Sequence, residues 1–397
     1  MNILRLRKLD FLLGSVLIVI LRPASIILGT FLRRNHDLVI RKQLVIMKIK
    51  GGGSLLLALP AMLSLRRKYP DKKFTLITSS EVKPFAELMG VFDEIVLVDT
   101  AKFRSFFISS IKAIRKAWRA DGLINFEIHS KLTTVFSSLS CARNRFGFYH
   151  ETNSWQRDVI THLFFYNITS PVYINYNQVA LALGAEVLPY NEVSYFFIHH
   201  NHLTPNPFRR EQIKVALAPF CSDLGKEREF LPEHWAKILK DKFENKALEL
   251  IILGGASDIQ RASALEQYLK VAWPDLVIDN RVGLTTLHES ALIIKSVQEL
   301  LTIDSGLNHI ARLIGGNMHI TSYWGPTDPI TRLAPFPNLT ETIVYKKLFC
   351  SPCVHVVATP PCKGNNICMK QYTKQELNQY STEGWMIISN SATPKNI

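Results

Sequence analysis

Several stretches of the 397-residue chain place acidic, hydroxyl, cationic and glycine residues where they could do phosphate or hydroxyl chemistry. In TIDSGLNHIARLIGG, Thr302 to Gly316, an apolar lead-in ends at Ile303. Asp304, Ser305 and Gly306 follow, and then a helical pattern with His309 near its first turn. Asp304 or Ser305 reads as an N-cap, and free backbone N–H groups at a helix start after a parallel strand are a natural phosphate seat. APFCSDLGKEREFLPEHW supplies Ser222, Lys226 and Arg228 just after another apolar run. Gly254 and Gly255 follow LELIIL, Gly51-Gly52-Gly53-Ser54 follows QLVIMKI closely, and Gly325-Pro326-Thr327-Asp328 forms a further corner. Each glycine corner taken alone is explained by the steric needs of a βα turn, so it is their order along the chain that carries information.

The elements that would position these residues are legible as alternating patterns. KQLVIMKI, KKFTLITS, DEIVLVD and DGLINFE read as strands, with helices starting near Ser54, Glu81, Arg104 and Ser130. A second series comprises IKVALAP, ALELIILGG, DLVIDN, QELLTI and MHITSYW, with helices near Pro232, Asp258, Thr286 and Gly306. Two Rossmann-like α/β domains are therefore expected, one over 43–186 and one over 211–345. The proline-bearing stretch 187–210 reads as a linker between them. Ligands of such sheets bind at the strand C-terminal ends, which leaves a central cleft between the two domains as the expected site.

The formal net charge of +14 is uneven, because residues 1–50 hold ten Lys or Arg against Asp10 and Asp37 alone. The excess points to the N-terminus rather than to a nucleic-acid groove, and no nucleic-acid partner is expected. Within 1–42, the apolar runs Phe11 to Leu21 and Ala24 to Leu32 are separated by Arg22-Pro23 and flanked on both sides by cations. Each run is too short to cross a bilayer, and as one helix the pair would put Arg22 and a proline near its middle. The reading is a membrane-attachment segment, a hairpin or interfacial helix on an anionic leaflet, with a single spanning anchor as the alternative.

Four of the six cysteines fall in the segment 346–397, as Cys350, Cys353, Cys362 and Cys368. In a reducing compartment, a structural zinc or Fe–S site is one reading of that cluster. Unligated thiols are another, and disulfides a third.

Taken in order, the glycine turn running into LALPAMLSLRRKYPD, LIILGGASD, TIDSGLNHIARLIGG and WGPTDP resemble glycosyltransferase family 9, the heptosyltransferase-like enzymes of bacterial surface-glycan synthesis. The resemblance implies a GT-B fold and a metal-independent inverting transfer. A sugar (heptose or related) would pass from a nucleotide-diphosphate donor to a lipid-linked glycan acceptor of lipopolysaccharide synthesis, at the cytoplasmic face of the inner membrane. It implies no cofactor for catalysis. By the same resemblance Arg228, then Lys226, matches the cationic phosphate ligand and Asp304 a residue on the donor sugar's hydroxyls or a helix cap. His309 approaches the phosphates, and Leu284 lines the base pocket unless it is ordinary core.

A leaving diphosphate gathers negative charge, which helix amides and cations such as these neutralise. One departure from the family pattern stands out. Members commonly carry an Asp as acceptor base directly after the first-turn glycines, where this chain has Ser54. A serine hydroxyl does not take a proton at neutral pH unaided. Glu127, closing the strand GLINF, is then the candidate base, with His129 and His150 as alternatives; a branch of the family pairs a Gly-Ser turn with a strand-end glutamate. A catalytically silent nucleotide-sugar-binding or assembly protein of the same fold is the alternative function, and another GT-B activity such as an epimerase a third.

Overall fold

The computed structural model describes residues 3–32, 35–150, 154–203, 213–222, 225–244, 246–336, 339–354, 356–357, 360–363, 365–370 and 385–390. The flanking cations Arg33 and Arg34, residues 204–210 of the expected linker and most of the tail lie outside the described residues. The chain divides into two compact units, Met1–Pro189 and Tyr190–Ile397.

The first unit contains α1 (Ile3–Leu32), β1 (Gln43–Met47), α2 (Gly52–Leu56), α3 (Leu59–Lys68), β2 (Lys73–Thr78), α4 (Lys83–Met89), β3 (Glu94–Leu97), α5 (Phe103–Lys116), β4 (Gly122–Asn125), α6 (Lys131–Leu139), β5 (Asn144–Tyr149), β6 (His162–Phe165) and α7 (Val172–Ala182). Its six strands are all parallel in the order β3-β2-β1-β4-β5-β6. Strands covered by helices on both faces are apolar throughout rather than alternating, and Leu44 to Met47 of β1 are all buried.

The second unit contains α8 (Tyr190–His200), β7 (Ile213–Ala218), α9 (Pro232–Phe243), β8 (Leu248–Ile252), α10 (Ile259–Ala272), β9 (Val277–Asn280), α11 (Leu287–Lys295), β10 (Glu299–Ile303), α12 (Gly306–Ile314), β11 (His319–Trp324), α13 (Pro329–Arg332), β12 (Thr340–Lys346) and β13 (Trp385–Asn390). The order is β13-β12-β11-β10-β7-β8-β9, parallel except for β13 at the edge. Part of the stretch read as a linker is thus the helix α8. It packs on α12, and Ser194 Oγ donates to Leu313 O at 2.6 Å.

For the N-terminal segment a hairpin or an interfacial helix is expected. It is one helix that runs straight through Pro23, not a hairpin of two runs. An internal proline costs a helix about 3 kcal/mol, and contacts along one face offset it. Asp10 Oδ1 accepts from Ser130 Oγ at 2.6 Å and from Leu132 N at 3.0 Å, while Oδ2 accepts from Lys131 N at 3.0 Å. Asp10 therefore supplies negative charge at the N-terminus of α6, where the helix dipole favours it. Further along, Lys131 Nζ donates to Ser15 Oγ at 2.7 Å. Ile18 is buried with Val135 and Val159, Arg22 lies 3.8 Å from Asp158, and Ser25 Oγ is 3.4 Å from Ser138 Oγ. Glycine is required at position 14, where a Cβ would sit 2.5 Å from that of Lys131. Arg22, which would have been costly in mid-membrane, is instead turned toward this unit. The opposite face presents Val16, Val19, Ile20, Ile27 and Phe31 to the exterior. By length and composition Asp10–Phe31 is apolar enough to cross a membrane.

Asp10→Ala should strip the α6 amides of their acceptor, costing about 1–2 kcal/mol. Calorimetry should show the first unit's melting midpoint falling by about 3–8 °C, whereas an unchanged midpoint would mean that α1 is not docked as described.

Candidate functional site

In the second unit the chain runs from β7 outward through β8 and β9, then returns to lay β10 along the other side of β7. The loops leaving β7 and β10 diverge, and a sheet of this kind opens a crevice at such a switch point. The loop after β7 ends in a short turn, Lys226–Arg228, that turns Arg228 inward while Lys226 and Ser222 stay exposed. The Arg228 guanidinium is buried. Its Nε donates to Gly225 O at 3.0 Å and its Nη1 to Asp304 O at 2.7 Å, and Nη1 lies 3.2 Å from Asp304 Oδ2. Among the described residues Nη2 makes no hydrogen bond, which leaves it for a ligand.

At the β10–α12 corner, Ser305 is the N-cap, accepting from Asn308 N at 3.5 Å, and Gly306 opens the helix. The first amides of a helix have no intrahelical acceptor, so α12 starts with donors to spare. His309 Nε2 is 4.0 Å from Asp304 Oδ1. Burial first, then the charges of Arg312, Arg332 and Arg228, hold its imidazole pKa down to about 4 against the pull of Asp304, so it is neutral at pH 7. Deeper in α12, buried Arg312 pairs with Glu341 and donates to Ala334 O at 2.7 Å, fixing the helix against β12. Asn308 and Thr327 are buried with side-chain polar atoms that have no hydrogen-bond partner among the described residues. Native proteins rarely leave such groups unpaired unless water or a ligand meets them.

A second set of contacts, which sequence reasoning missed, ties the β7 loop to the β8 turn. Glu229 Oε1 accepts from Cys221 N at 2.9 Å and pairs with Arg261, which also pairs with Asp258. Asp258 Oδ2 in turn accepts from Gly255 N at 2.9 Å, beside Gly254. The Asp258/Arg261 spacing of three on one helix was the available signal, but Glu229 is 32 residues away. Leu284 is 73% exposed on the loop after β9, so it is not core.

The cysteine segment folds back onto this unit. Cys353 N and Val354 N both donate to Pro326 O at 3.0 Å, Asn366 Nδ2 donates to Glu227 O at 2.7 Å, and a Cβ on Gly325 would lie 2.9 Å from that of Cys368. It therefore covers the Gly325–Asp328 corner and braces the turn that holds Arg228. Cys350, Cys353, Cys362 and Cys368 are free thiols. Among the described residues no group of three or more His, Cys, Asp or Glu is placed to hold a metal, so the geometry does not support the zinc or Fe–S expectation. Burial, reinforced by the neighbouring thiols, pushes the Cys368 pKa up to about 12 and raises that of Cys353, which keeps both protonated and unreactive.

In the first unit the switch point lies between β1 and β4. Gly51 adopts a left-handed φ of 79°, which only glycine takes without strain, and Gly52 and Gly53 begin α2. Ser54 Oγ donates to Gly51 O at 2.8 Å. Glu127 Oε1 accepts from Ile49 N at 2.7 Å and Lys50 N at 2.8 Å, and Lys48 Nζ lies 3.6 Å away. Glu127 thus has a cation beside it, and its carboxylate ties the end of β4 to the end of β1. Oε2 makes no hydrogen bond among the described residues. His129 is exposed and His150 half-buried.

Because His309 titrates near 6.5 when unfolded and about 4 when folded, its contribution to stability is complete above pH 6.5 and falls away as pH drops toward 4. His162 and His319 are lowered in the same sense by burial. Melting midpoints followed from pH 7.5 to 5 should therefore fall for the wild type and fall less steeply for His309→Gln. Parallel curves would remove His309 from the account.

The profile of glycosyltransferase family 9 (heptosyltransferase) matches residues 179–362. No curated protein matches the chain in sequence. A family 9 glycosyl transferase from Veillonella parvula DSM 2008 superposes with a TM-score of 0.56 and 16% identity over 77% of this chain and 86% of its own. E. coli ADP-heptose lps heptosyltransferase II gives 0.54 and 15%, over 85% of this chain and 98% of its own. E. coli heptosyltransferase WaaC with ADP gives 0.58 and 15%, over 86% and 99%. At these identities the superpositions establish the fold, two Rossmann-like sheets of GT-B type. The family profile lies over the unit that carries the Arg228–Asp304 corner, and residues 179–362 are a glycosyltransferase family 9 domain.

Proposed function

We propose that the protein transfers a sugar, heptose or a relative, from a nucleoside-diphosphate donor to a lipid-linked glycan acceptor with inversion, working at a membrane surface in bacterial surface-polysaccharide synthesis. The observation that carries this reading is the corner in which buried Arg228 is locked to Asp304 beside the free N-terminus of α12. On this reading Arg228 Nη2, the exposed Lys226 and the first α12 amides receive the diphosphate. They neutralise the charge that grows as the sugar departs, so that no metal ion is required. Asp304 and Ser305 lie next to that seat, where Asp304 accepts from a sugar hydroxyl. Neutral His309 donates to a phosphate oxygen, and Leu284 stacks on the base.

In the first unit, the Glu127 Oε1 contacts fix the carboxylate, and Oε2 takes the acceptor proton. Ser54, whose hydroxyl is spent on Gly51 O, supports the turn. For attachment, α1 carries polar contacts from Asp10 to Ser25 on one face and apolar side chains on the other. A helix docked in that way lies in the leaflet rather than crossing it. The cytoplasmic face, with its anionic lipids, suits the flanking cations.

The alternative, a silent nucleotide-sugar-binding protein, is favoured by the serine in place of the usual aspartate. The two are separated by turnover with nucleotide sugars and a lipid-linked glycan extract. Glu127→Gln keeps an oxygen for the Ile49 and Lys50 amides, so it should retain the turn and donor affinity within a few-fold while lowering turnover by roughly 10² to 10⁴. Full turnover in Glu127→Gln would make Glu127 a positioning residue only. Donor binding without turnover in the wild type, with any acceptor, would favour the silent protein.

A further inference from the structure

The helix α5 carries a second apolar surface that nothing in the chain covers among the described residues. Ala113 and Ala117 are buried against the sheet with Phe106 and Ile114 packed beside them, so this face holds the helix to the first unit. Phe103, Phe107 and Ile111 recur at intervals of four on a neighbouring stripe and are 56%, 59% and 37% exposed. Trp118 extends the stripe past the helix end at 55%, and Ile108 lies beside it. A shallow open groove is lined by Ile108, Ile111, Lys112, Arg115 and Lys116. The charge is one-sided: residues 102–119 contain Lys102, Arg104, Lys112, Arg115, Lys116 and Arg119 and no Asp or Glu. Exposed aromatic and aliphatic side chains bordered by an excess of cations, of which Lys116 alone pairs with an acid among the described residues, Glu94, fit the headgroup region of an anionic leaflet, with Trp118 of the type that settles at its boundary. The helix α6 packs against both α1 and α5, so the two lie on neighbouring parts of the first unit.

We infer that α5 is a second membrane-contacting element, its Phe103/Phe107/Ile111 stripe entering an anionic leaflet beside α1, so that the first unit is held by two helices rather than tethered by one. This rests on the reading of α1 as a leaflet-bound helix. Two points of attachment fix the orientation of the first sheet to the lipid surface, which a single helix leaves free to rotate.

The full chain carrying the photoreactive substitution Phe107→p-benzoylphenylalanine should be bound to vesicles of equal parts phosphatidylcholine and phosphatidylglycerol and irradiated. Mass spectrometry then reads the adduct at position 107. A phospholipid adduct is expected there, and none with the same substitution at exposed Tyr268 of the second unit. Lys112→Glu with Arg115→Glu should lower the adduct yield by roughly tenfold or more while the chain still sediments with vesicles through α1. Sedimentation without a lipid adduct at 107 would overturn the α5 contact alone, and an adduct to a second copy of the chain would replace it with a protein interface. Failure to sediment at all would overturn both membrane readings.

Discussion

The pair formed by Arg228 and Asp304 constrains most of the second unit. A guanidinium and a carboxylate this far from water are tolerated only together, and removing one leaves a buried charge whose penalty is about 3–5 kcal/mol. Arg228 therefore has to reach the β10 end, which fixes the length and path of the β7 loop. That loop must in turn be held from outside, by Glu229 with Arg261 on one side and by the cysteine segment through Asn366 on the other. The same contact sets the guanidinium beside the start of α12, so on the proposed reading a structural requirement and an anion seat share the same atoms.

The first unit repeats the device with a different chemistry. Its switch point is bridged by Glu127, which takes two backbone N–H groups at the end of β1 from its place at the end of β4. In both units a charged side chain bridges the ends of neighbouring strands, Arg228 to Asp304 in one and Glu127 to the Ile49 and Lys50 amides in the other. The glycine turn with φ of 79° at Gly51 lets the chain bend close enough for this, and Ser54 closes the turn instead of taking part in it.

What could be read from the sequence was local. Strand, corner and helix around Thr302 to Ile314 follow from an apolar run, a capping residue and a period of 3.6, and Ser305 is the cap that the pattern offered as one of two. What could not be read was long-range pairing. Arg228 meets Asp304 across 76 residues, and Asp10 caps a helix 120 residues later. Pro23 looked like a break because the contacts that carry the helix through it, from Asp158 and Ser138, come from elsewhere in the chain. Residues 190–200 lacked a strand rhythm and were followed by prolines, yet α8 forms because α12 offers it a surface. The cysteine spacing suggested ligands, but the backbone of that segment proves to matter more than its thiols, through Pro326, Glu227 and Gly325.

The account stands on the claim that the β10–α12 corner seats the donor diphosphate. Gly306→Pro addresses it directly. Proline is suited to the first position of a helix, Ser305 before it is already extended, and only one backbone donor is lost. Titration calorimetry of the full chain with nucleoside diphosphates should find one that binds the wild type and binds Gly306→Pro roughly tenfold or more weakly, the melting midpoints of the two proteins agreeing. Equal affinity in both proteins would place the diphosphate elsewhere and contradict the account.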